Sequence, residues 1–442
     1  MYKFDVALNA KTAMKERVVW MLYLGITFFL LYGSANYWAS VTAPHDAFFF
    51  AWERDIPFVE LFIVPYMASD LMFVLAFLLP YTRLELRVLA LRVFSIVLFS
   101  VLVFLIFPLQ FSFAKPEIET FTWLFGALEA DLPFNQAPSL HVSFAIVLWY
   151  SMQTKVKSLF GKVLLGLWFG LISLSTLFVY QHHFIDLPTG ALVGFLAVYF
   201  ISSKRENRVL KAFMTPRHLK MALYYLLASA LFMILAFNVS LWFLYLFVSL
   251  FLVSVIYAFG LNGLMRKVYF YPILFPYFLG NQLSWMYYQR RLSLMTEVKE
   301  NVYFGRKPTF KETGLVLTRC RNVIDLTLEQ FYISQGLHKV NLGLLDQTIP
   351  NPELLHKAVL LIEEHKKEGV YVHCALGLSR SVLIISAWLL YIGHNRDEVE
   401  QIMQEIRPKY VKSTYMGITL DIYEEYLEYN SKKLKDIFEQ SK

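Results

Sequence analysis

The stretch Val372-His373-Cys374-Ala375-Leu376-Gly377-Leu378-Ser379-Arg380-Ser381 separates a cysteine from an arginine by five residues. Its flanks read as a strand that ends at the cysteine and a helix that opens at the arginine. A loop of that kind can turn its backbone N–H groups inward around a tetrahedral anion, and the helix amino terminus adds partial positive charge. Phosphate is the guest that fits. The same donors would favour the thiolate of Cys374, which can attack phosphorus in line. Arg380 can hold two phosphate oxygens at once and follow their charge into the transition state.

A second set of reactive residues lies far upstream, in Ala137-Pro138-Ser139-Leu140-His141 and Gln181-His182-His183-Phe184-Ile185-Asp186. Both segments border long apolar runs, where histidine and aspartate are costly unless paired or functional. The spacing of His182 and Asp186 puts them on one helical face. The carboxylate can then orient the imidazole and leave its other nitrogen free to attack.

The elements that must carry these groups follow from composition. Of 442 residues, 57% are apolar and 17% charged, and mean hydropathy is +0.48, which excludes disorder and an ordinary soluble protein. Eight apolar runs are predicted as membrane spans: Val18 to Tyr37, Val59 to Leu79, Val88 to Leu109, Ser139 to Met152, Val163 to Tyr180, Leu187 to Ile201, Met221 to Phe237 and Leu241 to Phe259. With the amino terminus inside, 18 basic residues (from Lys3, Lys11 and Lys15 through Arg205 and Arg208 to Arg266 and Lys267) fall on the cytoplasmic side. Only Arg54 and Lys115 fall opposite, a bias that orients the chain. The aromatic run Val268 to Tyr288, flanked by basic pairs, is expected to lie at the cytoplasmic interface.

From about Leu292 the pattern becomes that of a soluble α/β domain. Strands are predicted at Tyr303 to Gly305, Val323 to Leu326, Lys339 to Leu342 and Val370 to His373. Helices are predicted at Pro352 to Glu368 and Ser381 to Tyr391, with a solvated helical tail from Ser431 to Lys442. Residues 291 to 442 carry 20 basic and 20 acidic side chains, so the net charge of +7 belongs wholly to the hydrophobic part and nothing calls for nucleic acid. The two cysteines, Cys320 and Cys374, do not make a disulfide framework, and Cys320 is expected to be structural. No cysteine and histidine spacing suits a metal, and neither mechanism requires a cofactor.

The Cys374 to Arg380 segment resembles the Cys-x5-Arg signature of protein tyrosine and dual-specificity phosphatases, over about Val302 to Tyr410. The resemblance implies Cys374 as nucleophile, Arg380 as phosphate clamp and Asp346 as the general acid that later activates water. It implies His373, Gly377, Ser379 and Ser381 as residues of the substrate-binding loop, with Ser381 helping the thiolate to leave. Arg407-Pro408 resembles a downstream element of that fold. Phosphoinositide phosphatases of this superfamily tend to have basic residues inside the loop, where this chain has Ala375 and Leu378. That disfavours a polyphosphoinositide and leaves a phosphoprotein or a singly phosphorylated lipid open.

The upstream clusters resemble motifs of the type 2 phosphatidic acid phosphatase (PAP2) superfamily, especially its inositol phosphorylceramide synthase-like branch, over about residues 15 to 205. The resemblance implies His182 as the nucleophile that becomes phosphohistidine, Asp186 as its orienter, and His141 as the acid for the leaving group. Ser139 and Lys115 would contact phosphate, and His183 is an alternative to His182. The usual Ser-Arg pair is Ser175-Thr176 here, and the first motif is reduced to Lys115-Pro116.

These readings predict a polytopic helical PAP2-like domain at 1–205, additional transmembrane and interfacial helices at 206–291, and a dual-specificity phosphatase domain at 292–442. The whole would be a bifunctional enzyme of the bacterial inner membrane. Its phospholipid or other lipid phosphate site would be periplasmic, and its second phosphatase would be cytoplasmic. The competing reading makes the membrane half a catalytically dead lipid-binding anchor.

Overall fold

The computed structural model describes residues 10–129, 131–204, 209–330 and 336–440, the side chains of 433–440 excepted. Lys3, Arg205 and Arg208 of the basic set and the last two residues of the tail lie outside the described residues. The chain forms two compact units that divide between residues 211 and 212.

The first unit is helical: α1 Met14–Thr42, α2 Ile63–Leu78, α3 Arg83–Ile106, α4 Thr122–Leu128, α5 Leu140–Met152, α6 Leu159–Phe178 and α7 Asp186–Phe200. Polar residues at the borders of the apolar runs start two of these helices. The Thr82 side chain accepts from the Glu85 amide, and the Ser158 side chain accepts from the Gly161 amide. The outward faces are apolar, with Phe29, Phe99, Leu167 and Phe195 more than half exposed, a surface unsuited to water. The contact that brings the His141 and His182 segments together is α5 against α7. It depends on Gly190, because a Cβ there would lie 2.4 Å from the Ser139 carbonyl oxygen. A backbone approach that close tolerates only glycine.

The second unit begins with an antiparallel helical hairpin, α8 Pro216–Asn238 and α9 Phe243–Phe259, followed by α10 Tyr271–Tyr288. Among the described residues, five helices are long and apolar enough to cross a membrane: Met14–Thr42, Glu60–Leu78 (α2 with the turn before it), Arg83–Ile106, Leu159–Phe178 and Pro216–Asn238. Asp186–Phe200 and Phe243–Phe259 are shorter apolar helices. The aromatic run before Tyr288 is helical and accommodates Pro276 inside its length.

Next comes a five-stranded sheet in the order β1-β2-β5-β3-β4, from β1 Met295–Lys299, β2 Val302–Arg306, β3 Asn322–Asp325, β4 His338–Asn341 and β5 Val370–Cys374. Only β1 runs antiparallel. The central strands β2, β3 and β5 are buried at every residue, as expected for parallel strands covered on both faces. The remaining helices are α11 Thr313–Leu317, α12 Pro352–His365, α13 Arg380–Tyr391, α14 Arg396–Ile406 and α15 Thr414–Gln440. The core joins Phe304, Val372, Leu355, Ile362 and Trp388. Strand β1, α11 and α14 have no counterpart in the sequence reading, and the terminal helix begins at Thr414 rather than near Ser431. β1 is short and mixed in polarity, while α15 buries Tyr415, Leu420 and Tyr423, so tertiary packing decides both.

Candidate active sites

The central strand β5 ends at Cys374, α13 begins at Arg380, and the loop between them sits at the carboxyl end of the parallel strands, where crossover sheets present ligand sites. The Gly377 amide donates to Cys374 Sγ at 3.2 Å, and Ser381 Oγ lies 3.4 Å from the same sulfur. Gly377 has φ +70°, and a Cβ there would fall 2.4 Å from the Gly305 carbonyl carbon, so the loop closes only with glycine. Arg407 braces it from behind, Nε donating to the Gly377 carbonyl at 3.2 Å and Nη2 to the Leu376 carbonyl at 3.4 Å. The Val411 amide reaches the Leu378 carbonyl at 2.9 Å, and Ser379 Oγ meets the Tyr415 hydroxyl.

Arg380 is buried and held in one pose. Its Nη1 donates to Glu329 Oε2 at 3.0 Å and to the Leu344 carbonyl at 3.0 Å, while Nη2 reaches Glu329 Oε1. Its Nε edge faces Asp346 Oδ1 at 3.1 Å. Burial opposes the positive charge, but Glu329 and Asp346 outweigh it and keep the guanidinium charged. The tertiary fold therefore brings Asp346, 34 positions before Arg380, to the mouth of the anion loop. Glu329, which fixes the Arg380 guanidinium, was missed by sequence reasoning. It lies 51 positions from Arg380 in a segment with no motif, so nothing local marks it.

His373 is fully buried behind the loop, its Nδ1 3.4 Å from the Cys374 carbonyl oxygen. Burial lowers its pKa and favours the neutral ring, with Asp325 opposing that shift. Asp325 in turn accepts from the Thr327 amide and hydroxyl and pairs with Lys339 at 2.9 Å. Cys320 is buried against Tyr303, Val316 and Val323 well away from the loop, and burial pushes its thiol up to about 12. It is a small core residue.

In the first unit, His182 Nδ1 lies 3.0 Å from Asp186 Oδ2, and the same oxygen accepts from the His183 amide at 3.0 Å. The His141 ring centroid is 6.1 Å from that of His182. Both imidazoles line a cavity of about 600 Å³ bounded mainly by apolar side chains of α1, α2 and α5. Asp131 also lines it, accepting from Tyr32 Oη at 2.9 Å and Asn36 Nδ2 at 2.8 Å. Burial raises the Asp131 carboxyl, while the Tyr32 hydrogen bond and the charges of His182 and Lys115 pull it back. Asp131, Tyr32 and Asn36 were missed by sequence reasoning, since they come from two separate segments that meet only in the folded bundle.

Three other residues named from the sequence stand elsewhere. His183 is engaged at both nitrogens, Nδ1 at 3.2 Å from Glu53 Oε2 and Nε2 at 3.2 Å from Ser112 Oγ, with its ring stacked on Phe49 and Phe111. Ser139 is fully buried, its amide donating to the Asp186 carbonyl at 3.0 Å, and it is not on the cavity wall. Lys115 is exposed and also off that wall. Among the described residues, no group of three or more His, Cys, Asp or Glu is placed to hold a metal ion.

No protein-family profile matches the chain. Over 121 residues it is 26% identical to the dual specificity protein phosphatase OPG106 of vaccinia virus, a match covering 26% of this chain and 71% of the viral protein. The monkeypox virus protein of the same name is 25% identical over an equal span and equal shares of each chain. Among solved structures, Tk-PTP in its active form is similar at 27% identity, covering 30% of this chain and 96% of that one, with a TM-score of 0.29. The sequence likeness to dual-specificity phosphatases supports hydrolysis of phosphoric monoesters by the part of the chain it covers.

Proposed function

We propose that this chain is a bifunctional integral membrane phosphatase with a thiol site in its second unit and an imidazole site in its first. The observation that carries the thiol site is the Gly377 amide directed at Cys374 Sγ, with Arg380 locked by Glu329 beside it. In the first step the Cys374 thiolate attacks phosphorus, a sulfur–phosphorus bond forms, and the ester oxygen leaves with the proton of Asp346. Arg380 holds the equatorial oxygens as their charge grows. In the second step water, deprotonated by Asp346, breaks the phosphocysteine bond and the Ser381 hydroxyl stabilises the departing sulfur. His373, Gly377 and Ser379 shape the loop that receives the phosphate.

For the imidazole site the support is the His182–Asp186 pair beside His141 on an apolar cavity that also carries Asp131. His182 attacks with Asp186 holding its ring, His141 protonates the leaving oxygen, and the phosphohistidine passes its group to water or an alcohol. This is the PAP2-type chemistry of a lipid phosphate phosphatase or phosphotransferase. A mainly apolar cavity lined by a few polar groups suits an acyl-chain substrate with a polar head. In this reading the imidazole site faces the periplasmic side of the inner membrane and the thiol site the cytoplasm, with the charge bias as its support. The lipid-binding anchor is the second reading, favoured by the exposed position of Lys115 and by Thr176 in place of an arginine.

Full-length protein in lipid nanodiscs, assayed separately as Cys374→Ser and His182→Ala, tests both halves. Cys374→Ser is expected to abolish aryl phosphate hydrolysis, and His182→Ala to abolish release of phosphate from phosphatidic acid while aryl phosphate hydrolysis persists. Phosphatidic acid turnover that survives His182→Ala but not Cys374→Ser would make the first unit an anchor.

A further inference from the structure

The segment from Asn341 to Asn351, which carries Asp346, is clamped by side chains of the apolar helices that precede the sheet. Asp346 is itself two-fifths exposed, so its own burial does not fix it. The next residue, Gln347, has φ +54°, a left-handed conformation that a non-glycine residue keeps only when its surroundings hold it there. Two side chains supply the hold. Tyr257 of α9 donates its hydroxyl to the Asp346 carbonyl at 3.2 Å. Arg217, in the first turn of α8, donates Nε to the Gln347 carbonyl at 2.9 Å and Nη2 to Gln347 Oε1 at 3.2 Å.

The same Arg217 guanidinium lies 5.1 Å from the centroid of the Tyr415 ring, whose hydroxyl meets Ser379 Oγ in the anion loop. One arginine thus ties the acid-bearing segment to the loop that holds the nucleophile. A second, Arg266, donates to Asn341 Oδ1 at 2.8 Å and fits against Gly343, where a Cβ would lie 2.1 Å from its Nη2. The distance between Asp346 and Cys374 is set jointly by the phosphatase sheet and by the ends of α8 and α9.

We infer that Tyr257 and Arg217 are positioning residues for the Asp346 acid, so that helices α8 and α9 tune how well this phosphatase expels a poor leaving group. The inference rests on Asp346 being the general acid. As the sulfur–phosphorus bond forms and the phosphorus–oxygen bond breaks, an alkoxide needs a proton on departure, whereas p-nitrophenolate departs without one. A displaced acid therefore costs alkyl phosphates far more than activated aryl phosphates. General acid catalysis is worth about 10²- to 10⁴-fold, and a displaced acid forfeits part of that.

The test is kcat/KM of the full-length protein on a series running from p-nitrophenyl phosphate to an alkyl phosphate, which reports the first chemical step. Tyr257→Phe and Arg217→Gln are expected to lower the alkyl value about 10- to 100-fold and the p-nitrophenyl value by less than about threefold. Arg217→Lys, which keeps the charge but loses the paired donors, should fall between Arg217→Gln and the parent. Asp346→Asn in the same series separates the two ideas. If it shows strong leaving-group bias while Tyr257→Phe and Arg217→Gln show none, the positioning role is overturned and the acid stands. If Asp346→Asn shows no bias, the acid assignment fails and takes the positioning role with it. A uniform loss across all substrates in the Tyr257 and Arg217 variants marks a merely structural role and also overturns the inference. Tyr257→Phe removes a single oxygen atom, which keeps the comparison readable should Arg217→Gln fail to fold.

Discussion

The proposed thiol site and the proposed imidazole site would reach similar chemistry by opposite constructions. Nucleophile, amide donor and clamp of the thiol site lie within Cys374 to Arg380, presented by one loop whose backbone does most of the binding. The imidazole site is built from side chains: His141 opens α5, His182 precedes α7, Tyr32 and Asn36 come from α1, and Asp131 from the loop after α4. The first construction needs one tight turn and a few distant braces, Glu329 on the arginine and Arg407 behind the loop. The second needs several helices packed correctly before any of its groups meet. Local backbone geometry makes a site robust to changes elsewhere, while convergence makes it hostage to helix packing.

The largest expected effects compare the two bracing carboxylates. Asp186→Asn removes the acceptor that sets the His182 ring, and loss of an orienting carboxylate of this kind costs up to about 10⁴-fold in turnover. Phosphate release from phosphatidic acid should fall accordingly, with aryl phosphate hydrolysis intact. Glu329→Gln strips a buried guanidinium of its two-point charge partner and leaves it only the part-exposed Asp346, a change that costs up to about 3–5 kcal/mol and should appear as lost aryl phosphatase activity and a lowered unfolding temperature. An equal loss of both activities in either variant would end the claim of two separate sites.

The glycines come next. Gly377→Ala places a Cβ against the Gly305 backbone and should cost the thiol site about 100-fold in kcat/KM, the scale of an ångström of misplacement. Gly190→Ala drives α5 from α7 at the Ser139 carbonyl and should cost the imidazole site a similar factor. A silent Gly190→Ala would mean that the separation of His141 and His182 does not limit the reaction.

The smallest effect is a matter of pH. Lys307 is buried with its ammonium 4.6 Å from the centroid of Trp285, and desolvation draws its pKa down to about 8. The folded chain releases this proton near pH 8, whereas the unfolded chain keeps it to about 10.5. Stability of the second unit should therefore rise with pH between those values, because the unfolded state binds more protons there. Thermal unfolding in detergent from pH 7.5 to 10 should show that rise in the parent and lose it in Lys307→Met. An unchanged slope in the variant would remove Lys307 as its source.

Legibility followed the same division. The strand, loop and helix around Cys374 could be read directly, because a buried parallel strand is a continuous apolar run and the loop follows it without interruption. His182 and Asp186 were readable as a pair through helical spacing. Their cavity was not, since Tyr32, Asn36 and Asp131 carry no mutual spacing. Glu329 and Tyr257 were equally silent, one an acidic residue in an unremarkable loop and the other a tyrosine in an aromatic-rich helix. Ser139 and Lys115, carried over from a family resemblance, stand off the cavity wall, because motif position records chain order and not which way a side chain faces.

By itself the sequence determined the apolar helices, the alternation of strands and helices beyond residue 292, and the pairing of the two proposed nucleophiles, Cys374 and His182, with their nearest partners. Those depend on interactions within a few residues, which periodicity and local backbone geometry encode. The tertiary structure alone decided that Glu329 locks Arg380, that Arg217 and Tyr257 hold the Asp346 segment, and that an acidic residue shares a cavity with two histidines. Contacts between residues dozens of positions apart arise from how whole elements pack, and packing energy is spread over many side chains with no signature at any one of them.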